Sequence, residues 1–190
     1  MVRTPVMSAL FEDLVTFAKL EIVSGDLEPW ATLLRGAREH LGLADEAVLW
    51  LIKLYNAYDA FSSAWQAYRR WESPYAWAQA RDADSAAVYE CTQERRGLRG
   101  GGITKHLRSY VTQMSGSSQR EWLMQAPMQF IPLMRWTETV WGVGRQTAFE
   151  WVEFLAKVSD FPVSAPDAQL WESKGPQRSL QALFGNPLPT

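Results

Sequence analysis

The sequence predicts an all-α fold. Helix signals recur along the whole chain, whereas strand signals are scarce. The composition, with 47% hydrophobic and 21% charged residues, is typical of a globular protein with a substantial core. Because 190 residues suit one folding unit, we expect a single all-α domain over residues 1–190.

Three helices are predicted before residue 73. The first begins at Thr4–Pro5, where a capping residue precedes a proline suited to the first helical turn. The second runs from Asp26 to about Gly42, and the third from Asp45 to about Trp71. The Ser73–Pro74 pair ends the third helix, because the residue before a proline disfavours the helical conformation.

Four more helices are predicted in the second half of the chain, over about 104–114, 119–125, 127–140 and 145–159. The stretch 95–102 before them holds too many glycines for regular structure. Ser118 is the expected N-cap of the segment that follows it. Residues 161–167 read as a loop, and short helices finish the chain.

Cysteine usage, charge and apolar runs exclude several classes of protein. Cys91 is the one cysteine, which rules out an internal disulfide and a multi-cysteine metal site. The apolar run at 47–52 is far too short to span a bilayer, and no signal peptide is recognisable. Residues 69–135 carry ten basic and six acidic side chains, so the middle third is electropositive despite a net charge of −2. We expect a cytoplasmic protein with no membrane partner.

A glycine pair lies between the last two long predicted helices, at Gly142 and Gly144. Two glycines around one apolar residue permit a tight turn with positive φ, although they also suit a plain turn between helices. Amide groups at the turn and at the start of the next helix would point outward together and bind phosphate. The candidate DNA-phosphate ligands are Gly142, Val143, Gly144, Arg145 and Thr147.

The segment after the turn holds an aspartate in a suggestive position. A loop with Pro162 and Pro166 precedes Asp167, which follows Gln146 by 21 positions. This order resembles the helix-hairpin-helix DNA glycosylases, with the motif at about 127–159, and the resemblance implies that Asp167 is catalytic. Gln146 stands where lyase-type members carry a Schiff-base lysine, so lyase chemistry is not expected. Asp167 alternatively serves only as a helix N-cap.

Two cationic segments suggest that a second anion is bound. Five cations and no acid occur between Arg95 and Arg108, and a Ser-Lys-Gly-Pro-Gln-Arg run spans 173–178. Guanidinium groups on a glycine-rich loop suit multidentate binding of phosphate or pyrophosphate, although a solvated loop touching DNA is an alternative. The candidate pyrophosphate ligands are Arg95, Arg96, Arg99, Lys105, His106, Lys174 and Arg178.

Together these motifs resemble the amino acid:DNA transferases and α-glutamyl/putrescinyl-thymine pyrophosphorylases of bacteriophage DNA hypermodification. The resemblance rests on the stretch 94–100, the glycine hairpin and the run from Pro166 to Arg178, and it covers the chain from about Tyr55 onward. It implies an enzyme that displaces pyrophosphate from 5-(pyrophosphoryloxymethyl)uracil in DNA with the amine of an amino acid or polyamine. For a phage-encoded protein, the location would be the host cytoplasm.

This resemblance suggests roles for several further residues. A base must leave the stack to be modified, and the candidates for stacking on it are Trp65, Tyr68 and Trp141. Asn56 and Asp59 are candidates for holding the amine donor. No cofactor or metal site is expected, although a monovalent cation at the hairpin is left open. Two alternatives remain, which are a monofunctional glycosylase and a non-catalytic DNA-binding module.

Overall fold

The structure is a computed structural model that describes residues 29–80, 86, 89–92, 95, 98 and 101–165. These ranges contain eight α-helices and no strand, which confirms the all-α class. The helices are α1 Pro29–Leu41, α2 Asp45–Tyr58, α3 Phe61–Arg70, α4 Pro74–Gln79, α5 Gly101–Met114, α6 Gln119–Leu123, α7 Phe130–Thr137 and α8 Arg145–Val158. The helix predicted from Thr4 and those predicted after residue 165 lie outside the described residues.

Helix α2 forms the centre of the fold. Every residue from Val48 to Tyr58 is buried, and α3, α5, α6 and α8 all pack against this helix. A helix that is apolar around most of its circumference belongs in the interior, where each large apolar side chain stabilises the fold by about 1.5–3 kcal/mol. Lys53 and Asn56 interrupt this apolar surface on the side that faces the hairpin.

The long helix predicted from Asp45 to Trp71 is wrong, because the chain breaks at Asp59. This residue has a φ of +53°, and its N–H bonds to the carbonyl oxygen of Tyr55 at 2.6 Å. Its carboxylate accepts a hydrogen bond of 2.5 Å from the Thr92 hydroxyl. Aspartate tolerates the left-handed conformation better than most residues. The break allows α3 to pack against α2 as a separate helix.

Many of the described aromatic residues pack in the core. Trp50, Trp77, Trp122 and Trp151 are each at most 1% exposed. The rings of Trp122 and Trp151 both pack edge-on against Tyr110, at centroid distances of 5.3 and 5.5 Å. Two tryptophans differ, since Trp30 and Trp141 are about 40% exposed.

The helix ends in the second half differ from the predictions by a few residues. Helix α5 begins at Gly101 rather than Thr104, and α7 is shorter than predicted at both ends. Ser118 caps α6 as predicted, and Glu121 completes a reciprocal capping box with it. In the part of the chain that the structure describes, no helix has the length and apolar character needed to cross a bilayer.

Candidate functional site

The predicted hairpin is a tight turn between α7 and α8. Gly142 has a φ of +83°, and the N–H of Val143 bonds to the carbonyl oxygen of Val140 at 3.0 Å. Val140 and Val143 are buried and fasten the turn to the core, whereas Trp141, Gly142 and Gly144 are exposed. The turn therefore presents the backbone of both glycines and the ring of Trp141 to solvent.

The first turn of α8 is open beside this hairpin. Gly144 is its N-cap residue and provides no side chain to cap the helix. A Cβ atom placed on Gly144 would meet nothing within 4 Å. The first amides of a helix have no partner within it and bind anions well. The five predicted phosphate ligands lie in the hairpin and the first turn of α8. Val143 and Thr147 are buried, and Arg145 is half-buried.

Helix α5 holds the hairpin from one side through Trp141. The His106 Nδ1–H donates to the carbonyl oxygen of Trp141 at 2.7 Å, and the Ser109 hydroxyl oxygen accepts from the Trp141 N–H at 2.9 Å. Gly142 lies directly on this contact, since a Cβ atom there would be 2.7 Å from Leu98 and 3.4 Å from His106 Nδ1. Both backbone polar groups of Trp141 are thus fixed by α5.

Helix α2 holds the start of α8 from the other side. The Asn56 side-chain amide donates to the carbonyl oxygen of Thr147 at 2.9 Å. Arg95 donates to the carbonyl oxygen of Asn56 at 2.9 Å and forms an ion pair with Glu150. Asp59 lies 4.0 Å from the same guanidinium group. The hairpin and the first turns of α8 are therefore held in place before any ligand binds.

This arrangement corrects the expected surroundings of three predicted site residues. Arg95 is 5% exposed and His106 is fully buried, so neither presents its polar atoms on an open glycine-rich loop. Asn56 is 1% exposed, and its amide nitrogen is used by α8. His106 connects α5 to the hairpin, whereas Asn56 and Arg95 connect α2 to the first turns of α8. Asp59 remains accessible, with 18% of its side chain exposed.

The other predicted site residues fall into three groups. One lies beside Trp141, one lies on α3, and one lies outside the described residues. Lys105 is exposed, with its Nζ 4.1 Å from the ring centroid of Trp141. Trp65 and Tyr68 stack on each other along α3, with centroids 5.5 Å apart. The remaining predicted residues lie outside the described residues, namely Arg96, Arg99, Asp167, Lys174 and Arg178.

Sequence reasoning missed Lys53, which lies in the core beside the Asn56 contact. Its Nζ is 3.4 Å from Asn56 Oδ1 and 3.7 Å from the ring centroid of Trp151. Burial, reinforced by the charge of Arg95, lowers the pKa of Lys53 well below its usual range. A signal was present, because Lys53 is the single charged residue in the apolar run from Val48 to Tyr58.

Replacement of Lys53 by methionine is expected to change how stability depends on pH. In the unfolded chain Lys53 is protonated below about pH 10.4, whereas in the folded protein it becomes protonated only at a lower pH. Wild-type stability therefore rises with pH towards 10.4, and the variant lacks this contribution. The stability gained by Lys53→Met should grow as pH falls, by up to about 1.4 kcal/mol per pH unit, as measured by urea unfolding at several pH values. A gain independent of pH would show that Lys53 stays protonated in the core.

His106 should make the fold sensitive to acid. Burial lowers the pKa of His106 well below its usual range, although the bond to Trp141 opposes this shift. Its Nε2 is buried without a hydrogen-bond partner among the described residues, so a second ring proton would have no acceptor. The unfolded chain takes up that proton below about pH 6.5, and stability should fall by about 1.4 kcal/mol per pH unit there.

A matched variant isolates this contribution. The Asn amide can supply a donor in place of Nδ1–H but does not titrate, so His106→Asn should lack the extra pH dependence. Unfolding curves at pH 5.0–7.5 for both proteins measure the difference. Equal slopes would contradict a neutral, buried His106.

Comparison with known proteins identifies the family. The family model for amino acid:DNA transferases matches residues 23–189. The chain belongs to this family. No curated protein and no solved structure matches it significantly. As a member, this amino acid:DNA transferase is an enzyme whose substrates are an amino acid and DNA, and the motifs at the hairpin and at the C-terminal run both fall within the matched residues.

Proposed function

We propose that this transferase joins the amine of an amino acid to a 5-(pyrophosphoryloxymethyl)uracil base in DNA. The amine nitrogen forms a bond to the exocyclic methylene carbon, and the carbon–oxygen bond to pyrophosphate breaks. The electron pair of that bond leaves on the pyrophosphate oxygen, and the attacking amine loses one proton. Family membership supports the two substrates, and the cationic segments support an anionic leaving group.

The observation that carries this proposal is the open hairpin at the start of α8, which contacts from α5 and α2 hold in place. Gly142 and Gly144 are exposed, the first turn of α8 lacks a side-chain cap, and the turn is fixed from two sides. A rigid cluster of backbone amides binds a DNA phosphate without losing conformational entropy on binding. This is the use that the resemblance to helix-hairpin-helix glycosylases implies for it.

In this proposal the modified base leaves the DNA stack, and cationic side chains of the protein bind its pyrophosphate group. Arg96, Arg99, Lys174 and Arg178 neutralise the charge that grows on pyrophosphate as the bond breaks. Asp167 removes the amine proton or stabilises the electron-poor methylene carbon. Trp141, or the Trp65–Tyr68 pair, stacks on the extruded pyrimidine.

Of the two amine-donor candidates, Asp59 supports the proposal better. Its carboxylate is partly exposed at the end of α2, where it pairs with Thr92 and lies near Arg95. A carboxylate attracts the ammonium group of an incoming amino acid. Asn56 supports Asp59 through the backbone contact with Arg95 rather than by touching the donor.

Pyrophosphate release tests the proposal. The protein is incubated with an oligonucleotide carrying the pyrophosphorylated base, with each of the twenty amino acids and with polyamines, while an unmodified oligonucleotide serves as the control. Release that requires both the modified base and an amine is the expected result. Abasic sites would instead show a glycosylase, and no release with any amine would overturn the proposal.

A further inference from the structure

A cleft next to the hairpin remains without a role in this reaction. It has a volume of about 470 Å³ and lies between the first three turns of α5 and the side chain of Trp141. Lys105 and Arg108 line it one turn apart, and both are exposed. Ser109 also lines the cleft, so this helix face both fixes the hairpin backbone and borders the cleft.

The chemistry of the cleft suits an anion. Among the described residues that line the cleft none is acidic, and the first turn of α5 holds no acidic side chain. Thr104 also lines the cleft, is 9% exposed, and has a hydroxyl group without a hydrogen-bond partner among the described residues. A buried hydroxyl without a partner costs free energy, and an anion can relieve this cost. The two cationic side chains, the N-terminus of α5 and the Thr104 hydroxyl group therefore all favour the binding of a negatively charged group.

A DNA phosphate fits better than the free amino acid. An amino acid carries an ammonium group as well as a carboxylate, and none of the described lining residues offers a carboxylate to hold the ammonium. A backbone phosphate is anionic only and is followed by more strand, which an open cleft accommodates. The Trp141 ring borders the cleft while its backbone belongs to the hairpin, so both sites lie along one surface.

We infer that the α5 cleft binds a second backbone phosphate of the DNA strand whose first phosphate is held by the hairpin. This inference rests on the proposed function and adds a partner contact to it. Because His106 and Ser109 fix the hairpin to α5, the two phosphate sites keep a constant separation. In this inference Lys105 contacts the DNA strand. The sequence-based hypothesis instead made it a ligand of the leaving pyrophosphate.

A scan with neutral phosphates tests this inference. A set of oligonucleotides, each with one methylphosphonate at a different position, is titrated with wild-type protein and with Lys105→Gln. Wild-type binding should weaken at two separate positions. Lys105→Gln should lose the effect at one of them only, and its plot of log affinity against log salt should have a slope smaller by about 1.

Control variants make the result specific. Arg108→Gln should remove the effect at the same position as Lys105→Gln, whereas Lys157→Gln, which lies at the far end of α8 beside Glu153, should keep both positions. The inference would be overturned if Lys105→Gln kept both sensitive methylphosphonate positions and the wild-type salt slope. So would a raised KM for the amino acid with normal DNA affinity, since the cleft would then bind its carboxylate. If wild-type protein bound no DNA, the proposed function would fail as well.

Discussion

Replacement of Asp167 by asparagine should lower turnover by about 10²–10⁴-fold, the usual range for loss of a positioned general acid or base. Asparagine keeps the shape of the side chain but cannot accept a proton or carry a negative charge at neutral pH. DNA affinity should not fall, because the change removes a negative charge from a protein that binds a polyanion. Single-turnover product formation and DNA titration measure the two quantities separately.

Asp160→Asn is the matched control for this prediction. It lies just before the same loop, is exposed, and forms an ion pair of 2.6 Å with Arg38. The loop that follows Asp160 is anchored to the core by Phe161 and Val163, which are buried. Asp160→Asn should therefore retain full turnover. Normal turnover in Asp167→Asn would remove Asp167 from the mechanism.

Replacement of Gly142 by alanine should destabilise the fold and weaken DNA binding together. A left-handed backbone costs an alanine about 1–2 kcal/mol, and here the new Cβ atom would also press on Leu98 at 2.7 Å. The displaced turn would no longer fit the His106–Trp141 contact. Urea unfolding and DNA titration of the same variant test both effects.

Gly144→Ala separates the phosphate contact from the stability of the hairpin. Its φ of −89° suits any residue, and a Cβ atom there would point into open space. Loss of stability should stay below about 1 kcal/mol, the scale of a weaker N-cap. DNA affinity should nevertheless fall, because the methyl group occupies the space through which a phosphate would approach. Wild-type affinity in Gly144→Ala would place the phosphate elsewhere.

The helical fold could be predicted because its signals are local. Ser118 with Glu121 and the two hairpin glycines act through neighbouring residues, and the structure confirms a helix boundary at both places. Ser73 and Pro74 were predicted to end a helix, but that helix ends at Arg70, and the pair caps the start of α4, a helix that was not predicted. The break at Asp59 was missed because it depends partly on Thr92, which is 33 positions away in sequence. Periodicity alone reads the two helices around it as one.

The surroundings of the cations could not be predicted for the same reason. Arg95 and Lys105 share one basic stretch, but Arg95 meets Glu150 in the core, whereas Lys105 meets Trp141 at the surface. These partners are 36 or more positions away, so composition treats the two cations alike. His106 was likewise grouped with them, although its partner at Trp141 makes it part of the hairpin support.

The mass of the modified nucleoside tests the central claim most directly. DNA carrying the pyrophosphorylated base is treated with the protein and a ¹⁵N-labelled amino acid, then digested to nucleosides and weighed. The account predicts a nucleoside that contains the amino acid and its ¹⁵N label, formed in equal amount with pyrophosphate. An unlabelled hydroxymethyl nucleoside or a missing base would contradict it.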